Sequence, residues 1–187
     1  MSRRIFIGCK LPRKIIPIVG MMQSTIVDIN KSYRWVSGNN LHLTILFLGN
    51  QEDAVLDDIV KQLELIISKS HKFTIKIDGT GVFSKNHSNN ILWLGVKQSR
   101  NQLDKINYEL RGKLSSFMAK DKIKKFIPHI TIPKKKKEYF NDKIDVKNFL
   151  NSVYFPMDLH IKYFTLFESV ETTKGVRYVK ISDFPLL

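Results

Sequence analysis

Apolar residues recur along this chain in two rhythms. Residues 4–11, 41–49, 91–96 and 128–132 are short, nearly unbroken apolar runs that predict β-strands, and residues 72–77 alternate basic and apolar positions as a half-buried strand does. The run at 91–96 is apolar enough that burial on both faces is expected. Residues 52–68 and 99–118 instead place Leu, Ile and Val at intervals of three and four, which predicts amphipathic helices; a looser version follows Pro12, with Ile15, Ile16, Ile18, Val19 and Met22. A short strand at 33–36, a helix at 138–150 and late strands at 152–155, 159–168 and 176–181 complete the pattern. Pro133 is expected to end the strand before it, residues 86–90 to form a polar loop, residues 120–125 a basic connection, and Gly175 the last hairpin turn. Gly79-Thr80-Gly81 lacks the third glycine and the following helix of a dinucleotide loop, and reads as a bend or bulge between strands.

The order of elements repeats. Strand near Ile7, helix, strand at His42, helix and strand near Ile75 are matched by strand near Leu94, helix, strand at His129, helix and strand near Val153. The interval is the same in both halves, since 35 residues separate Ile7 from His42 and Leu94 from His129. This argues for a β-α-β-α-β unit used twice, over about residues 3–84 and 91–168, inside one domain spanning 1–187. Two units related by a pseudo-twofold put His42 and His129 in equivalent places across a shared cleft.

Those two strands carry the candidate chemistry. Residues two apart on a strand share a face, so His42 with Thr44 and His129 with Thr131 each present an imidazole beside a hydroxyl. An imidazole near its ordinary pKa of about 6.5 serves as proton acceptor or donor, and two of them make a complete proton-transfer set. The threonine hydroxyls suit hydrogen bonding to oxygens on which charge builds.

Composition then narrows the electrophile. The chain holds 31 Lys and Arg against 17 Asp and Glu, a formal charge of +14, which favours a polyanionic partner, nucleic acid first. In a basic cleft the electrophile to expect is phosphorus. No His, Cys or carboxylate cluster has metal-site spacing, so no metal is expected. The run Lys134 to Lys137 is read as a solvated stretch that is also placed to meet RNA backbone. His71, His87 and His160 are expected to be exposed or structural, and Trp35 and Trp93 to belong to the core or the cleft wall. The lone Cys9 sits in an apolar run and is expected to be a buried thiol in a reducing cytoplasm; the basic N-terminus leads into no segment resembling a signal peptide or membrane span.

The chain also resembles a known family. His42-Leu43-Thr44-Ile45 and His129-Ile130-Thr131-Ile132 match the paired H-x-T-x motifs of the 2H phosphoesterases, and in particular the bacterial and archaeal RNA 2′,3′-cyclic phosphodiesterases once called 2′-5′ RNA ligases. The likeness extends through Arg4-Ile5-Phe6-Ile7 and Leu11-Pro12, Trp35-Val36, Asn40-Leu41, Phe47-Leu48-Gly49, Gly79 to Phe83, Leu92 to Val96, Phe126 to Thr131 and Leu166 to Ser169. It implies an α+β fold with two antiparallel-sheet lobes around a central cleft and helices outside. It further implies hydrolysis of RNA 2′,3′-cyclic phosphate ends to 2′-phosphates by a cytoplasmic monomer without metal or other cofactor, together with reverse 2′-5′ joining. His42 would then be the proton donor and His129 the proton acceptor; the residues by themselves assign neither role. Lys134 would bind substrate where relatives often carry Arg, and Lys10 stands where an acidic residue is common before Leu-Pro. Two other readings use the same residues: a 2H enzyme for 2′-5′-linked oligonucleotides, and a basic RNA-binding module that does not turn over.

Overall fold

The computed structural model describes residues 1–25, 31–85, 88–98, 100–118, 125–140, 142, 144–152, 156–173 and 175–187. Its strands are β1 (Ser2–Lys10), β2 (Tyr33–Trp35), β3 (His42–Glu52), β4 (Phe73–Lys85), β5 (Ser88–Gln98), β6 (His129–Lys135), β7 (Met157–Ile161), β8 (Tyr163–Thr172) and β9 (Gly175–Pro185). They form one antiparallel sheet in the order β7-β4-β5-β6-β3-β1-β8-β9, with β2 added to β6. The two halves of this sheet, β7-β4-β5-β6 and β3-β1-β8-β9, meet at one residue pair, Leu43 opposite Ile130. Lys162 alone links β7 to β8, six positions away in the strand order. In a flat sheet that separation is roughly 29 Å, from a strand spacing of about 4.8 Å, and one residue cannot bridge it. The sheet is therefore curled, and the fold is α+β as expected.

Among the described residues four helices pack against the sheet: α1 (Ile15–Thr25), α2 (Leu56–Ile67), α3 (Asn101–Lys113) and α4 (Lys147–Leu150). The apolar stripe of α2 buries Ile59, Leu63, Ile66 and Ile67, and that of α3 buries Leu103, Ile106 and Leu110. Both stripes join Leu43, Leu94 and Ile130 in one continuous core. No helix among the described residues is long and apolar enough to cross a membrane. Cys9 is buried, and burial raises its thiol pKa.

Several expectations need correction. Pro133 does not end its strand, because β6 continues to Lys135; proline sits at a bulge there, where no ladder N–H is required. The helix expected at 138–150 is only the short 3₁₀ turn Lys137–Tyr139 and α4. The Asp145 carboxylate accepts the Lys147 N–H at 2.8 Å and starts the helix late. The strand expected at 159–168 is two strands broken at Lys162. In β5, Ile91 and Trp93 are half-buried while Leu92, Leu94 and Val96 are buried, so one face is open. The lysine run is not uniformly solvated: Lys135 is buried, its ammonium donating to the Asp142 carbonyl. The Gly-x-Gly bulge is present, with Gly79 at φ 75° and a register shift between Ile77 and Thr80. Residues 153–155 of an expected strand, Ser99 of an expected helix, residues 86–87 of the expected loop (including His87) and 120–124 of the basic connection lie outside the described residues.

Candidate active site

β3 and β6 are built alike. Their first seven residues have the same burial sequence: half-buried, buried, half-buried, buried, buried, exposed, buried. The two consecutive buried residues mark a bulge in each strand. In β3, Thr44 pairs with Gly8 and Leu46 with Ile7, leaving Ile45 extra; in β6, Thr131 pairs with Trp93 and Lys134 with Ile91, leaving two residues opposite one. The carbonyls at the bulges are satisfied from outside the ladder. Ile45 O accepts from the buried Asn107 amide of α3 at 2.6 Å, and Ile132 O accepts from Val36 N–H at 2.7 Å. The extra residue shifts the alternation, so among those seven positions His42, Thr44 and Phe47 of β3, and His129, Thr131 and Lys134 of β6, are the ones not buried in the core.

Because Leu43 pairs antiparallel with Ile130, His42 comes beside Thr131 and Thr44 beside His129, around a local twofold. The histidines then sit on a diagonal that is roughly 7–8 Å in an ideal ladder, enough to admit a phosphoryl group between them. Each ring is held the same way. His42 Nδ1 donates to the Asn40 carbonyl and His129 Nδ1 to the Ile127 carbonyl, both at 2.7 Å. A carbonyl only accepts, so Nδ1 carries the proton and Nε2 is left with its lone pair. Burial pushes the His42 pKa down to about 4 against the opposing pull of the Asn40 carbonyl, with Lys134 and His129 adding to the depression. His129 is lowered too, by burial first, against the Ile127 carbonyl, and by Lys134. Both rings are neutral near pH 7 until something anionic approaches.

The surroundings differ on the two sides. His42 packs against Phe6 and edge-on against Tyr178, whose ring centre is 4.7 Å away. Phe6 also contacts Phe47 and Phe167, and Phe47 is 58% exposed. His129 meets Phe83 edge-on at 4.8 Å and lies 6.1 Å from Trp93. The glycines of β4 and β5 make room for that indole: a Cβ on Gly81 would lie 2.2 Å from the Trp93 ring, and one on Gly95 2.8 Å from it. Asn40 secures the other side, its amide donating to the Val176 carbonyl at 2.6 Å and its Oδ1 accepting from the Tyr178 N–H at 3.4 Å.

Lys134 is exposed, with Arg34 opposite it across β2 and β6. Its pKa is lowered by desolvation and by the charges of Arg34 and Arg4. The structure thus brings His42, Thr44, His129, Thr131 and Lys134 into one neighbourhood. His160 instead pairs with Thr74 on the outer strands, and His71 is exposed. A cavity of about 1180 Å³ lies between α2 and α3 and includes neither paired histidine. Among the described residues no group of three or more His, Cys, Asp or Glu could hold a metal ion. Asn40, Phe47, Asn107 and Tyr178 escaped the sequence reading. Phe47 had a signal, since it follows His42 by the same five residues by which Lys134 follows His129.

Comparison with known proteins finds relatives of the chain. Residues 22–93 match the family described as LigT like Phosphoesterase. The chain is 28% identical over 184 residues to the RNA 2′,3′-cyclic phosphodiesterase of Aquifex aeolicus, covering 98% of this chain and 97% of that protein. It is 32% identical over 147 residues to the protein of the same name from Thermotoga maritima, covering 77% and 74%. The structure of E. coli LigT in its apo form superposes with a TM-score of 0.73 at 23% identity, over 99% of this chain and 98% of that one.

Proposed function

The chain belongs to the LigT-like 2H phosphoesterase family, and on that footing we propose that it hydrolyses RNA 2′,3′-cyclic phosphate ends to 2′-phosphates by two-histidine acid–base catalysis. The observation that carries this reading is the duplicated histidine geometry: two imidazoles, each fixed through Nδ1 to a backbone carbonyl, with Nε2 free, on paired strands.

The cyclic phosphate sits between the rings. His129 Nε2 takes a proton from water as its oxygen bonds to phosphorus, the P–O3′ bond breaks, and His42 gives a proton to the departing O3′; these are the roles that the family resemblance implies. A neutral His42 first has to gain that proton. The incoming phosphate anion supplies the means, since a negative charge beside an imidazole raises its pKa. Thr44 and Thr131 donate to the non-bridging oxygens, and Lys134 adds a positive charge beside them. The exposed ring of Phe47 offers a stacking face for the terminal base. With a 5′-hydroxyl in place of water, the same groups join two ends: His129 takes the hydroxyl proton as its oxygen bonds to phosphorus, the P–O3′ bond breaks, and His42 protonates O3′, leaving a 2′-5′ linkage. The setting proposed is the cytoplasm, where Cys9 stays reduced.

The test is an oligonucleotide ending in a 2′,3′-cyclic phosphate, incubated in EDTA with wild type, His42→Ala and His129→Ala. Wild type is expected to open the ring and each variant to lose more than ~10²-fold in rate. An untouched end with wild type, or full activity in either variant, defeats the proposal. A parallel assay on 2′-5′-linked oligoadenylate separates this reading from the 2′-5′ phosphodiesterase alternative.

A further inference from the structure

The reacting phosphate is given Lys134 by the proposed function, and two arginines beside that lysine are left without a task. Arg34 faces Lys134 directly in the β2–β6 pair, an arrangement that costs stability because like charges opposite one another on paired strands repel. Arg4, exposed on β1, adds a third charge, since it and Arg34 both act on the Lys134 ammonium. The usual remedy is a carboxylate between such groups. Among the described residues none of the three has an ion-pair or hydrogen-bond partner. The contrast with the adjacent residue is sharp: Arg3 is paired with Asp53 at 2.7 Å and with Glu168 at 3.6 Å. The Arg34 guanidinium also stands clear of the core, its Nη1 3.9 Å from where a Cβ on Gly175 would be, at the β8–β9 turn. Three cations held together without a counter-charge at the edge of a phosphate site describe a place for a second anion.

The chemistry of the substrate says which anion. A 2′,3′-cyclic phosphate occupies the last ribose of a strand, so the next phosphate along is the diester on its O5′. A phosphodiester presents two non-bridging oxygens, which a guanidinium meets in bidentate fashion. Resting on the function proposed above, we infer that Arg34 and Arg4 form a subsite for the internucleotide phosphodiester immediately 5′ of the reacting nucleotide, so that the enzyme prefers strand ends to cyclic mononucleotides.

The experiment compares kcat/KM on adenosine 2′,3′-cyclic phosphate, its 5′-phosphorylated form and a tetra-adenylate ending in 2′,3′-cyclic phosphate, using wild type, Arg34→Gln and Arg4→Gln across a salt series. Wild type should favour the tetranucleotide, and the 5′-phosphorylated mononucleotide should recover part of that advantage. Each variant should lose roughly tenfold more on the tetranucleotide than on the plain mononucleotide, as befits one charge-assisted contact. Its log–log salt slope on the tetranucleotide should flatten by about 0.7. Equal losses on all three substrates would assign the arginines to the reacting phosphate, and no loss on any would leave them without a ligand; either result overturns the inference. A wild type inert on every cyclic phosphate would refute the proposed function itself, and the subsite with it.

Discussion

Replacing His42 with Gln should flatten the acid limb of this protein's stability. Burial, opposed by the Asn40 carbonyl and aided by Lys134 and His129, holds the His42 pKa at about 4, against an ordinary value of about 6.5 in an unfolded chain. Between those values the unfolded state binds a proton that the folded state refuses. Stability therefore rises with pH through this window; the loss begins as pH falls below the unfolded value and is complete below the folded one. Evaluated between pH 7 and pH 5, the linkage relation gives about 2 kcal/mol from this one side chain, equivalent to roughly 4–8 °C in Tm for a domain of this size. His129, also lowered, adds to the loss with the same sign. Glutamine retains an amide donor for the Asn40 carbonyl and does not titrate. Urea titrations at pH 7 and pH 5 measure the effect: the gap between the two pH values should be about 2 kcal/mol smaller in His42→Gln than in wild type, with m-values unchanged. An equal gap in both proteins would mean that the folded state does not hold His42 neutral. The account of an acid that is charged only when substrate arrives would then fail. Inorganic phosphate should narrow the wild-type gap by favouring the imidazolium.

Other outcomes follow from neighbouring residues. Thr44→Val and Thr131→Val keep strand propensity and volume but remove the hydroxyl, and each should lower kcat roughly 10²-fold on a cyclic-phosphate end, with a smaller change in KM. Asn107→Leu leaves the Ile45 carbonyl buried without its donor; denaturant titration should show a loss of about 1–3 kcal/mol. Gly81→Ala drives a methyl group into the Trp93 ring, so it should cost about 1–3 kcal/mol and move the NMR resonances of His129, which lies beside that indole.

The histidine–threonine pairs were legible because an i, i+2 spacing on a strand is a face, and the long helices were legible because α2 and α3 keep one apolar stripe. The bulges were not. Ile45-Leu46 and Ile132-Pro133 look like ordinary stretches of apolar strand, and only the pairing register reveals that one residue in each is extra. The proline was misread for the same reason: its missing N–H ends a regular ladder but suits a bulge. The helix expected at 138–150 had apolar residues to support it, yet the helix starts only at Lys147, whose N–H is taken by the Asp145 carboxylate. Asn40 stands next to the first motif with no pattern that marks it as a support. Its amide contacts lie 136 and 138 positions away in the chain, which no local pattern reports.

The bulges also explain why the motifs alone do not say which histidine is acid and which is base. Each strand repeats the same construction, Nδ1 to a carbonyl two residues back, threonine two residues on, bulge, then an outward side chain, so the two imidazoles are equivalent as far as the motif reaches. The equivalence ends at the residue beyond the bulge, which is the exposed aromatic Phe47 on one strand and the cation Lys134 on the other. It ends again in the walls, Phe6 and Tyr178 against Phe83 and Trp93. Under the proposed mechanism an asymmetric substrate would be oriented by those differences: stacking would favour the base on the Phe47 side, and Lys134 with its neighbouring arginines would favour phosphate on the other. On that proposal direction comes from the residues in which the two copies diverge, and the shared His-x-Thr motif would supply only the chemistry common to both directions.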